Sequence, residues 1–396
     1  MTFTPLKKEE RAEWRGLLAG TDNARLAAAF LLLLLSSLTL ALCESSAVAA
    51  LYLVYAVVFY YTLTHSIRSI LLLALPGVLL FTVSYGIGGT AFAFALPAAY
   101  AALLLGSVAG AFLILQLSRR PRLYPVLALV PAAAYLIALA VSRSPRLALL
   151  ALLPAAVAAV LGFCILTCRP QTSSLLLIAT AIGALAVGAY LVYLLFTGFP
   201  AGNVLVALVD RLRAGIVSYY NALVQASAAQ GMYTGLSPND IENAAALLGN
   251  LLPGLFIVAC LLLAFAMWRM LLRMLVQWQT LPRVPVRLAA LTVSPYAAGI
   301  FVVAFLVSAV ANAETVTLVG MLAENLSFVL QPALMLVGWS GLFSAKATPS
   351  CLTSLIGFAL IGLLFFNPGL AMTGLAFLGA FYILRANLSP QNKGEK

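Results

Sequence analysis

The sequence predicts an all-α, polytopic transmembrane helical bundle of about twelve spans, counted at ~20 apolar residues per span. Three observations predict it. Charged residues are 8% of the chain and hydrophobic residues 64%, with a mean hydropathy of +1.08, whereas a soluble domain carries about 25% charged residues. Apolar runs of span length recur from one end to the other, separated by short polar or basic turns. One stretch, Ser237 to Arg287, carries acid at its start and base at its end, which fixes its direction and, by alternation, that of its neighbours.

Composition also excludes functions. The net charge of +11 comes from Lys and Arg at span ends, where the positive-inside rule places them. No soluble basic domain is left over to bind nucleic acid. The cysteines Cys43, Cys164, Cys168, Cys260 and Cys351 lie in or beside apolar segments, and their odd number argues against a disulfide framework. Cys164 and Cys168 share a helical face, but the only histidine is His65, so they read as small packing residues and no metal or cofactor is expected.

The elements follow in order. Residues 1–25 form a cytoplasmic tail rich in Lys and Arg. Leu26 to Leu42 is a first, uncleaved span, since no small-residue cleavage site closes it. Ala47 to Leu63 follows, ending at a basic turn with His65 and Arg68. Ile70 to Tyr85, kinked at Pro76, leads to a glycine turn at Gly86, Gly88 and Gly89. Thr90 to Gln116 returns inward and ends at Arg119, Arg120 and Arg122. Within it, Gly106 and Gly110 form a small-residue pair that lets another helix approach closely.

Leu123 to Val141 and Leu147 to Thr167 form a hairpin around Arg143 and Arg146. Simple alternation puts those arginines outside, so either they snorkel from a full hairpin or the pair is shorter and re-entrant. The full hairpin is the preferred reading. Leu175 to Phe196 completes the N-terminal bundle, residues 26–197.

Residues 198–246 are an extracytoplasmic amphipathic segment. Leu205, Leu208, Leu212, Ile216, Tyr219, Tyr220 and Leu223 recur at helical spacing. They predict a helix lying on the outer membrane surface.

In the stretch that follows, Ser237 and Pro238 start a helix that runs to Val276, roughly 60 Å at ~1.5 Å per residue. It is about twice the hydrocarbon thickness, so it spans and protrudes. It leaves the bilayer through Trp268, Arg269, Arg273 and Trp278. Ala289 to Ala311, Thr315 to Phe343, Leu352 to Phe366 and Leu370 to Leu384 complete a C-terminal bundle over 247–386. A cytoplasmic tail, 387–396, follows. Both termini are placed in the cytoplasm.

Enzyme signatures are missing. There is no Walker motif, no zinc-protease motif and no nucleophile elbow. Asp22, Asp210 and Asp240 all lie outside the spans, which excludes an intramembrane aspartyl pair. The chemistry that remains lies between Glu314 and Trp339. Glu324 and Asn325 fall near the middle of that span, Gln331 further along, and Asn312 just before it. A carboxyl at bilayer depth costs about 3 kcal/mol on insertion scales, and such residues face a bundle interior or cavity. The functional reading is a proton or ligand site formed by Glu324, Asn325, Gln331 and Asn312. The alternative is that Glu324 pairs with a neighbour and locks helix packing.

Five segments carry a resemblance: HSIRSILLLALPGVLLFTVSYGIGG, AALLLGSVAGAFLILQLSRRP, NLLPGLFIVACLLLAFAMWRMLLRML, AENLSFVLQPALMLVGWSGL and IGFALIGLLFFNPGLAMTGLAFLGAFYILR. Together, over most of residues 25–386, the chain resembles the YybS-like family of bacterial membrane proteins. The front half of that family is similar to the membrane-embedded substrate-binding components of energy-coupling vitamin transporters. The resemblance implies a multi-pass protein of the bacterial plasma membrane with a small-molecule transport role, and no catalytic residues. The expected partners are the lipid bilayer, a small-molecule ligand, and a membrane or cytoplasmic protein; Arg269, Arg273, Arg283 and Arg287 are a docking surface for the last only as the alternative to the preferred reading, that they obey the positive-inside rule. The rival function is a non-catalytic scaffold that binds other membrane proteins through Gly106, Gly110 and the outer helix.

Overall fold

A computed structural model describes residues 18–64, 76–82, 93–118, 124–197, 214–218, 238–311, 318–342 and 367–388, with short gaps at 19, 44, 79, 215–216, 283, 286–287 and 289–292. The described residues are helical and contain no strand. In chain order the helices are α1 (Asn23–Leu42), α2 (Ser46–Thr64), α3 (Ala95–Leu117), α4 (Tyr124–Ser142), α5 (Pro145–Leu150), α6 (Leu153–Leu166), α7 (Gln171–Thr197), α8 (Pro238–Gln277), α9 (Pro295–Ala311), α10 (Leu318–Leu342) and α11 (Pro368–Leu388).

Among the described residues, six stretches are long and apolar enough to cross a bilayer: Asn23–Leu42, Ala95–Leu117, Leu147–Leu166, Gln171–Val192, Asn250–Gln277 and Leu318–Trp339. Shorter apolar helices cover Ser46–Thr62, Ala128–Ser142, Pro295–Ala311 and Gly369–Arg385. Side chains such as Leu51, Leu129, Val303, Val310 and Leu322 are exposed on these helices, as a hydrocarbon solvent allows and water does not. The chain is a multi-pass membrane protein. The spans expected at Ile70 to Tyr85 and Leu352 to Phe366 fall wholly or mostly outside the described residues, as does nearly all of the outer helix expected in 198–246.

The chain divides into two compact units. One comprises Met1–Ala246 and Cys260–Ala290, the other Leu247–Ala259 and Leu291–Lys396. The continuous helix α8, 40 residues long, contributes to both.

The first unit is built on α3. Its sequence is apolar on every side and rich in Ala, Gly and Ser, the pattern of a helix with no face left for solvent; 78% of its spanning window is buried. It packs most extensively on α1 and α6. A Cβ on Gly106 would lie 2.6 Å from Ser36 Cβ on α1 and 2.9 Å from Pro154 Cβ on α6. A Cβ on Gly110 would lie 2.6 Å from Ala158 Cβ. Both glycines are therefore filled by helices of the same unit. Beside Gly106, the Ser36 hydroxyl meets its partner, the buried Tyr52 hydroxyl of α2, at 2.6 Å. A second core in this unit is made of alanines, Ala41, Ala134, Ala138, Ala148 and Ala151, which join α1, α4 and α5.

The region of the expected hairpin is more broken than a pair of straight spans. α4 contains Pro131, and Arg143 stops it with a left-handed φ of 53°. The second arm is interrupted by a turn at Ala151 and Leu152, between α5 and α6. The 147–166 arm meets span length while the 128–142 arm is shorter.

At the far end of α8 the structure differs from an aromatic anchor facing lipid headgroups. Trp268 is fully buried, and its indole N–H donates to the Leu288 carbonyl at 2.9 Å. Trp278 packs edge-on against Phe112 of α3 at 4.7 Å, and its carbonyl accepts from Arg25 Nη1 at 2.8 Å. The reason lies in the cap. Gln279 takes a left-handed φ of 58°, and the N–H groups of Gln279 and Thr280 fold back onto the carbonyls of Val276 and Leu275, a Schellman termination. That turn carries Thr280 to Gln116, whose Nε2 donates to Thr280 Oγ1 at 3.3 Å while its Oε1 accepts from the Thr21 N–H at 3.1 Å.

In the second unit α10 packs on α9 and α11. Alanine substituted at Gly338 would drive its Cβ into the Leu375 carbonyl, and at Gly379 into the Leu334 carbonyl. These are backbone-to-backbone contacts in both directions. Seven and six residues earlier, Gln331 Nε2 reaches Thr373 Oγ1 at 3.3 Å, so α10 and α11 run in the same direction. That is the relation alternation expects of two spans with one between them. Phe301, Phe305 and Phe377 close the core, with ring centroids 4.9 to 6.3 Å apart.

These contacts give a paired test of the first unit. Gly106→Ala should lower the thermal stability of the purified protein by an amount equivalent to about 1–3 kcal/mol, the cost of overpacking. Gly188→Ala, where an added Cβ meets nothing within 4 Å, should be neutral or stabilising. Equal melting temperatures for the two variants would show that α3 is not held this closely.

Candidate functional site

The residues that drew attention in the sequence stand on α10, but they do not form one cluster. A helix turns about 100° per residue, so Glu324 and Asn325 point in different directions while Glu324 and Gln331, seven apart, share a face. Asn325 faces α8, Gln331 faces α11, and Asn312 lies outside the described residues.

Asn325 is the most highly connected of them. Its Oδ1 accepts the Gly254 N–H at 2.6 Å, and its Nδ2 donates to the Asn250 carbonyl at 2.9 Å and to the Met321 carbonyl of its own helix at 2.8 Å. The N–H of residue 254 and the carbonyl of residue 250 are the pair that an unbroken α-helix joins to one another. The Asn325 carboxamide reaches across that pair, donor to acceptor and acceptor to donor.

The local sequence explains why it can. Pro253 has no N–H to give to the carbonyl four residues back, and its ring crowds that turn. Gly254 removes the side chain that would block entry: a Cβ there would sit 2.6 Å from Asn325 Oδ1 and 3.4 Å from the Asn325 carbonyl oxygen. In hydrocarbon no water can repair a loosened turn, so a neighbouring amide does it.

Gln331 bonds Thr373 Oγ1, and the Thr373 hydroxyl donates in turn to the Gly369 carbonyl at 3.0 Å. This pair ties α10 to the first turns of α11.

Glu324 differs from both. Its side chain is half-buried, and among the described residues its carboxylate has neither a hydrogen bond nor an ion pair; only its backbone carbonyl is engaged, by the Ser327 hydroxyl at 2.9 Å. The alternative in which Glu324 locks packing through a partner finds no such partner among the described residues. The arrangement is an acidic group in a candidate span, one residue from the Asn325 that bonds α8 beside Pro253.

Sequence reasoning did not find Asn250, Gly254 or Thr373. The Asn-Leu-Leu-Pro-Gly run at 250–254 was a signal for an interruption, and a free carboxamide on another span was the natural group to repair it. Elsewhere, Cys164 and Cys168 are both buried. Among the described residues no group of three or more His, Cys, Asp or Glu is placed to hold a metal ion.

The class of protein that the fold defines is a helical, multi-pass membrane protein. No protein-family model, curated protein or solved structure matches the chain.

The bridge predicts strong coupling between two positions 71 residues apart in sequence. Gly254→Ala alone should be destabilising because its methyl collides with the carboxamide. In an Asn325→Ala background the same change should be nearly harmless. A double-mutant cycle on unfolding in detergent should return a coupling energy of about 1 kcal/mol or more, where independent sites add within ~0.5 kcal/mol. Additive behaviour would mean the bridge does not form.

Proposed function

We propose that this protein takes part in small-molecule transport across a bacterial plasma membrane, with the ligand or a coupled proton engaged by Glu324. The observation that carries the reading is the position of that carboxylate. It has no partner among the described residues and stands on a candidate span, next in sequence to the Asn325 that bonds α8 beside Pro253. Acidic groups in spans are costly and mark ligand or ion pathways.

The resemblance to YybS-like proteins, and through them to the substrate-binding components of energy-coupling transporters, supports the same reading. We place the chain in that family and both termini in the cytoplasm on the basis of sequence. A carboxylate favours a ligand that brings positive charge or hydrogen-bond donors, with Asn325 engaged structurally rather than offered to it.

The scaffold alternative loses one of its supports. Gly106 and Gly110 are occupied by Ser36, Pro154 and Ala158 of the same unit, which leaves no room there for a partner helix.

The test is to purify wild type and Glu324→Gln from their own membrane under mild conditions and to identify small molecules in solvent extracts of each by mass spectrometry. A compound held at stoichiometric level by wild type and lost from a stable, correctly localised Glu324→Gln supports the reading. The same compound held by both variants would remove Glu324 from the reading, and a stoichiometric protein partner with no small molecule in either would replace it with the scaffold function.

A further inference from the structure

A shallow groove of about 420 Å³ opens on the outer side of α6 and α7. Ala159, Ala181 and Ala184 leave its floor low, and Phe163, Leu177 and Thr180 line its sides. The groove offers no free polar group from Thr180, whose hydroxyl donates to the Leu176 carbonyl of its own helix at 2.7 Å. Phe163 and the neighbouring Leu176 are 47% and 56% exposed, so the groove faces the hydrocarbon and is open to it.

A cation stands at one end. α6 terminates with Cys168 at a left-handed φ of 46°. The Cys168 N–H donates to Ile165 O at 2.9 Å and the Arg169 N–H to Cys164 O at 3.0 Å, the paired bonds of a Schellman cap. The cap folds Arg169 back over the last turn of α6, and its guanidinium carbon sits 5.1 Å from the centre of the Phe163 ring. The same ring lines the groove and supports the cation. Among the described residues no carboxylate lies within ion-pair distance of Arg169.

We propose that this is a binding site for an anionic diacyl phospholipid, with one acyl chain in the groove and the phosphate on Arg169. The two halves of the site match the two halves of that ligand. The groove is apolar and about two helical turns long, ~10 Å, which suits part of one chain and is too short for the seam of a transmembrane helix. Arginine presents a planar fork of donors that fits phosphate oxygens, and stacking on Phe163 holds that fork at the span end, where headgroups lie. A free phosphate would leave the groove unused. A neutral lipid would gain no net attraction from the cation.

The experiment is native mass spectrometry of the full chain titrated with dioleoyl phosphatidylglycerol or dioleoyl phosphatidylcholine. Wild type should bind the first phosphatidylglycerol about fivefold more tightly than phosphatidylcholine, the scale of one interfacial arginine. Arg169→Gln should bring that ratio near one, while Arg143→Gln, an exposed cation on another turn, should leave it unchanged. Ala181→Leu, which fills the groove, should weaken both lipids with the melting temperature retained. If that variant does not fold, Thr180→Leu at an exposed lining position makes the same test. Equal affinities in wild type, an unchanged ratio in Arg169→Gln, an equal fall in Arg143→Gln, or full lipid binding by the filled groove would each overturn the proposal.

Discussion

Hydrocarbon gives helices no hydrophobic reason to associate, so attraction between spans depends on how closely their backbones approach. In this protein that approach is made at a few glycines. In the first unit α3 sits against α1 and α6 at Gly106 and Gly110, where an added methyl would overlap Ser36, Pro154 or Ala158. In the second, Gly338 and Gly379 meet backbone to backbone, and Gly254 admits Asn325 to the turn behind Pro253. The large apolar side chains that dominate the composition are left to face lipid or to fill what lies between these crossings.

The same solvent dictates where polar groups go. A buried donor or acceptor has no water to turn to, so each needs a protein partner. Ser36 finds Tyr52, Gln116 joins Thr21 to Thr280, Gln331 finds Thr373, and Asn325 closes the turn between Asn250 and Gly254. These pairs hold helices together and are not available to a ligand. Glu324 has no such partner among the described residues, as the buried Ser37 and Ser107 hydroxyls have none, but as a carboxyl it carries the greater desolvation cost. Binding a ligand or a proton is the use we assign to that difference.

Apart from the broken arm at 145–166, the described helices were legible in the sequence to within a few residues because span length and terminal charge are strong signals. The helix expected from Pro238 to Val276 runs from Pro238 to Gln277, and the one expected to end at Gln116 ends at Leu117. Partners were less legible. Nothing in a single sequence ties Asn325 to Gly254, or Gln116 to Thr280, because such pairs are set by which spans become neighbours. Gly338 and Gly379 were missed for a local reason: the residues four before and after each are Leu or Ile, so neither belongs to the small-residue spacing that marked Gly106 and Gly110. Tryptophan near arginine at a span end is usually an interfacial anchor, whereas Trp268 is buried. The cap at Gln279, which turns the chain back over α3, carried no glycine to announce it.

The function assigned to Glu324 rests on α10 being held between its neighbours, and the contact that holds it most closely is the one between Gly338 and Gly379. The most direct measurement is a solid-state NMR carbon–carbon correlation on glycine-labelled protein in lipid bilayers, with the two residues assigned by Gly338→Ala and Gly379→Ala spectra. A strong cross-peak between the Gly338 and Gly379 Cα carbons, which only contact between backbones can give, is the predicted result. Its absence, in a sample whose other helical signals are intact, would contradict the packing on which the site is built.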